Sequence, residues 1–105
     1  MEKTLSSGRK VLIKEMTIDQ IDACKDMVQI VFVEDNAKSI RNLAATRTAW
    51  IRAGLEGGDF NGFSRLKPGE KLPDSVIKQL TDAEKEELAM KIQEAQVVGE
   101  SKPSN

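Results

Sequence analysis

Histidine is absent from this 105-residue chain and cysteine occurs once, at Cys24. Without histidine there can be no His-ligated zinc site and no Ser-His or Cys-His nucleophile pair, and a single thiol cannot close an intrachain disulfide. Neither sign of charge prevails, since 16 basic residues against 17 acidic ones leave a net charge of -1. No overall field therefore draws the protein to nucleic acid or to an anionic membrane. Long apolar runs are missing too: residues 28–33, with Gln29 among them, fall far short of the roughly 20 residues that span a bilayer. Residues 1–9 lack the basic start and apolar middle of a secretion signal, and a lone thiol suits a reducing compartment. The expected location is the cytoplasm.

What is present is enough for one small core: 11.6 kDa and 39% apolar residues support a single domain. Residues 1–8 and 99–105 are polar and have little to bury, so the expectation is one domain over 9–98 between a flexible start and a disordered tail. Arg9-Lys10-Val11-Leu12-Ile13-Lys14-Glu15 reads as a short strand, which needs a partner for its edges. Thr17-Ile18-Asp19-Gln20 has the form of a capping box, in which a Thr hydroxyl and a Gln side chain satisfy each other's backbone N–H groups at a helix start. Ile21, Cys24, Val28 and Val31 then recur at helical spacing, predicting a helix to about residue 33, with a strand over 28–33 as the competing reading. A second helix is expected over 37–53, with Gly54 as its left-handed terminator.

Residues 55–74 contain four glycines and two prolines at irregular spacing, which predicts a long loop held down by Phe60, Phe63, Leu66 and Leu72. Asp74 or Ser75 caps a short helix, and Thr81-Asp82-Ala83-Glu84 is a second capping box opening an amphipathic helix with a narrow stripe of Leu88, Ile92 and Ala95. The predicted class is therefore α+β: mainly helical, three to four helices, a short N-terminal β element and a long Gly/Pro-containing loop.

No constellation here carries catalysis. Gly57-Gly58-Asp59-Phe60-Asn61-Gly62-Phe63 lacks the lysine and following helix of a phosphate cradle. Asp59, Asn61 and Glu70 occupy the first, third and twelfth places of a calcium loop, but Phe63 stands at the fifth and Ser64 where glycine is required. Lys38, Arg41, Arg47 and Arg52 make the second helix basic, yet no second basic element or aromatic platform joins it, so pairing with the acidic first helix is the simpler use of that charge. Cys24 lies on an apolar stripe, where a thiol behaves as a small hydrophobe. No cofactor or metal is implied, and the chain reads as a non-enzyme. Exposed apolar side chains remain the most informative feature: Trp50, Ile51, Leu55, Phe60 and Phe63 are the candidate partner-binding residues, Trp50 serving equally well as core, and the strand residues Val11 and Ile13 are candidates for self-association.

Residues 8–22, a basic alternating strand followed by Met-Thr and an acidic helix, resemble the opening of the small tail assembly chaperones of long-tailed bacteriophages. That resemblance implies a protein of the host cytoplasm that coats the long helical tape-measure protein before the tail tube polymerises around it, often by self-association. The expected partners are thus a helical segment of another protein and further copies of this chain, with no membrane and no nucleic acid. A structural virion or adaptor protein, and a helix-turn-helix regulator, are the alternatives.

Overall fold

A computed structural model describes residues 1–27, 29–32, 38–41 and 43–101. Its first element is strand β1 (Glu2–Thr4), which turns through residues 5–9 into β2 (Lys10–Ile13). The turn is closed by bonds from the Leu5 N–H to the Arg9 carbonyl and from the Gly8 N–H to the Leu5 carbonyl, with Gly8 at φ 94. Within residues 1–8, Glu2–Thr4 thus join the sheet as β1, and Leu5 is buried. Helix α1 (Ile18–Met27) follows, then β3 (Gln29–Phe32), β4 (Lys38–Arg41), helix α2 (Leu43–Gly54), β5 (Leu55–Phe60), β6 (Phe63–Arg65), the single turn α3 (Asp74–Ile77) and α4 (Asp82–Ser101). Among the described residues, four helices with a four-stranded and a two-stranded antiparallel sheet make this an α+β fold with an N-terminal strand.

The main sheet has the order β1-β2-β5-β6, antiparallel throughout. β2 is central. Val11 stands between Lys3 and Gly58, and the pairing with β5 shifts by a residue between Leu12 and Ile13. Alternation along β2 is that of a sheet with one covered face: Val11 and Ile13 are buried, while Leu12 is half-buried and Lys10 exposed. Helices α1 and α4 pack on α2, and the core joins Val11 and Ile13 to Trp50, Ile51, Leu55, Leu88 and Ile92.

Three expectations need correction. The helix that starts at Ile18 stops at Met27, and β3 takes the strand reading for part of the 28–33 run. Ile-Val-Phe favours extended backbone, and pairing with β4 satisfies it. The second helix begins at Leu43, not at residue 37, because Lys38–Arg41 is β4; residue 37 lies outside the described residues. Residues 55–74 are not a loop throughout. Phe60 pairs with Phe63 across Asn61-Gly62, a two-residue turn with Gly62 at φ 76.

Gly57 and Gly58 serve β5 itself. A Cβ on Gly58, which has φ 139, would collide with the Lys10 carbonyl oxygen, and one on Gly57 with the Ser64 carbonyl oxygen. Bare backbone is what lets β5 lie between β2 and β6. Gly54, for its part, is not left-handed; its Cβ would come within 2.5 Å of Ile92 Cγ2, so close helix packing explains it. Pro73, not Asp74 or Ser75, takes the N-cap position of α3, without a side-chain bond.

Candidate functional site

Thr17 starts the construction of the site. Its hydroxyl accepts from the Gln20 N–H at 3.1 Å and its own N–H donates to Gln20 Oε1 at 3.0 Å, so the capping box is formed as the sequence predicts. Met16 then occupies the position before the cap and Ile21 the fourth helical position, the two places of a hydrophobic staple, and both are buried. Between them Ile18, the first residue of α1, is 74% exposed.

The connection from β2 to α1 is held against α4 by Gln96. Its Oε1 accepts from the Met16 N–H at 2.9 Å and its amide nitrogen donates to the Lys14 carbonyl at 3.1 Å. Gln96 is itself buried, so both ends of the amide must be satisfied within the protein, and they are. This bridge leaves an open cleft of about 580 Å³ between the β2–α1 connection and the second half of α4. Ile13, Met16 and Ile21 form its floor with Ala95, and the exposed side chains of Met1 and Ile18 stand beside them. Lys14 and Glu15 supply one charge of each sign at its border. A concavity of this size, apolar with a few polar groups, is the usual form of a binding site.

A second concentration of chemistry lies around Glu84, which is 6% exposed. Glu84 Oε1 accepts the Thr81 N–H at 2.9 Å in the second capping box, and Oε2 accepts from the Ser7 hydroxyl at 2.7 Å and from Arg9 Nε at 3.0 Å. Arg9 also donates to the carbonyls of Gln79 and Asp59 and lies 4.8 Å over the centre of the Phe60 ring. Burial alone would raise the Glu84 carboxyl, but the Thr81 N–H, the Ser7 hydroxyl and the Arg9 guanidinium together outweigh it and hold the group at about 2. Both oxygens accept from the protein's own donors, which makes the cluster a fastening between the N-terminal turn, β5 and α4.

The residues proposed from sequence are dispersed. Trp50 is 3% exposed, and Ile51 and Leu55 are wholly buried. None of the three can offer its side chain to a partner without opening the core, so their assignment as an accessible contact surface is corrected. Phe60 and Phe63 are half-buried and pack edge to face, with ring centres 6.2 Å apart, at the β5–β6 end, and they do not line the cleft. Val11 and Ile13 belong to a strand whose two edges are taken by β1 and β5, which removes the route to self-association through β2. Cys24 is buried, and burial pushes its thiol up from its ordinary value, the behaviour of a core residue. The arginines of α2 pair with other helices than α1: Arg47 with Glu86 at 2.7 Å and Arg52 with Asp74 at 2.6 Å.

Sequence reasoning missed Met1, Met16 and Ile18. The staple positions around Thr17 were a signal for Met16, and Ile18 could have been noticed as an apolar residue off the Ile21–Cys24 stripe. Ala95 had no such signal, because only the fold brings it to residues more than seventy positions earlier. Among the described residues no group of three or more Cys, Asp or Glu side chains could hold a metal ion, and no helix is long and apolar enough to cross a membrane. No family model, curated protein or solved structure matches this chain.

Proposed function

We propose that the protein is a non-enzymatic protein-binding module that holds the apolar face of a partner's helical segment in the cleft between the β2–α1 connection and α4. The observation that carries this reading is Ile18: a large apolar side chain, 74% exposed, directly beside the buried Ile13, Met16 and Ile21. Leaving it in water is unfavourable, and an amphipathic helix laid into the cleft would cover it. Lys14 and Glu15 at the border suit a ligand whose flanks carry both charges.

The finer form of the proposal is a tail assembly chaperone that keeps a helical tape-measure protein soluble. It is supported by the resemblance in residues 8–22, and that same stretch supplies Ile13, Lys14, Glu15, Met16, Ile18 and Ile21 of the cleft. The test is co-expression of the full chain with a tape-measure protein of a long-tailed bacteriophage. Wild type should keep the partner in the soluble fraction, and Ile18→Asp should lose it while its circular dichroism and melting temperature stay unchanged. Undiminished partner solubility with a folded Ile18→Asp protein would count against the cleft.

A further inference from the structure

β3 and β4 form a sheet of two strands, separate from the four-stranded sheet among the described residues. A two-stranded ribbon is marginal by itself in water, and each of its strands keeps an outer edge where every second residue turns its N–H and C=O outward. The two edges differ in chemistry. β4 carries Lys38 and Arg41 among four residues, and charge is what proteins use to keep another strand from adding to an edge. β3 is Gln29-Ile30-Val31-Phe32: uncharged, free of Pro and Gly, with three residues of high strand preference.

We propose that β3 pairs antiparallel with β3 of a second copy of this chain, joining two hairpins into one four-stranded sheet of order β4-β3-β3-β4. The strand is complementary to itself. A two-fold axis normal to the sheet sets one residue opposite its own copy: with the axis at Ile30, Gln29 stands opposite the second copy's Val31, and no charge meets another. Pairing β4 with β4 would instead gather two copies each of Lys38 and Arg41 along one seam, and edge charge of that kind keeps strands from adding. Pairing β3 with β4 is head-to-tail and leaves a free edge at each end for further copies, whereas the β3–β3 arrangement closes as a dimer. Self-association thus moves from β2, whose edges are occupied, to β3. The surface shares no residue with the cleft, so neither depends on the other.

Sedimentation equilibrium on the full chain tests this, comparing Val31→Lys with Ser39→Lys. Residues 31 and 39 stand opposite each other in the β3–β4 register, so the two variants add the same charge at the same level of the ribbon, on different strands. Wild type should show a monomer–dimer equilibrium; Val31→Lys should weaken it by about tenfold or more, and Ser39→Lys by no more than about twofold. Hydrogen exchange on the wild type provides a reading that needs no variant: the amides of residues 29–32 should gain protection as concentration rises, while those of 38–41 should not. The proposal is overturned by a wild type that stays monomeric up to about 0.5 mM, by a dimer that Val31→Lys leaves intact or that both variants weaken equally, or by β3 amides whose protection ignores concentration.

Discussion

Glu84 is a carboxylate whose two oxygens accept from Thr81, Ser7 and Arg9, and its folded value of about 2 lies below the ordinary 4.5. A depressed value means that the folded state binds the proton less readily than the unfolded chain does. The stability this group contributes is therefore complete above about pH 4.5 and is lost as the pH falls towards 2. Urea unfolding at a series of pH values should show the midpoint falling across that window, and Glu84→Gln should flatten the fall. A wild-type and a Glu84→Gln profile of equal slope would remove Glu84 as the cause.

Gly54 makes the opposite kind of point, since its contribution is an absence. Alanine is the better helix former by about 1 kcal/mol, yet its methyl would press to within 2.5 Å of Ile92 Cγ2 in the closed core. The overlap should prevail, so Gly54→Ala is expected to destabilise the protein by about 2 kcal/mol in urea titration. A neutral or stabilising result would mean that Ile92 moves aside at little cost.

The two long helices that carry described caps both begin with the same device. Thr17 with Gln20 and Thr81 with Glu84 each exchange two hydrogen bonds between side chain and backbone, at 2.9 to 3.1 Å. Thr17→Ala and Thr81→Ala should each cost about 1 kcal/mol, and the corresponding serine variants much less, by the shift in urea midpoint. These caps were readable in the sequence because they are local: four adjacent residues contain the whole interaction. The strand over Lys10–Ile13 and the stripe of Leu88 and Ile92 were readable for the same reason, each being a short period in the chain.

Where the sequence misled, a distant neighbour decided the outcome. Asn61-Gly62 is a hairpin signal, but Gly57 and Gly58 beside it read as breakers, and only the nearness of the Ser64 and Lys10 carbonyls shows why a strand should contain them. Ile30-Val31-Phe32 suits a helix stripe or a strand equally, and pairing with β4 chose the strand. Trp50 looked like a contact anchor because tryptophan is common at interfaces, whereas it is a member of the buried core. The cleft was least readable of all, since its walls come from both ends of the chain.

For the molecule as a whole, one buried cluster joins the sheet to all four helices described. The core depends on α4, because Leu88, Ala89 and Ile92 are buried in it and α4 packs along α2. A chain ending at Leu80 should accordingly show no cooperative thermal transition by circular dichroism. A sharp melt from that fragment would show that the sheet and the first helices suffice.

Hydrogen bonds tie the beginning of the chain to its last helix, among them Ser6 to Glu87, Arg9 to Glu84 and Met16 to Gln96. Each spans at least seventy-five residues. During synthesis the first strands must wait, unsealed, until the ribosome has released nearly everything else, and collapse then closes in a single late step. A stall anywhere before residue 84 would leave the sheet and α2 without the α4 side chains that complete their core, their apolar faces at the mercy of holdases or of one another in a crowded cell.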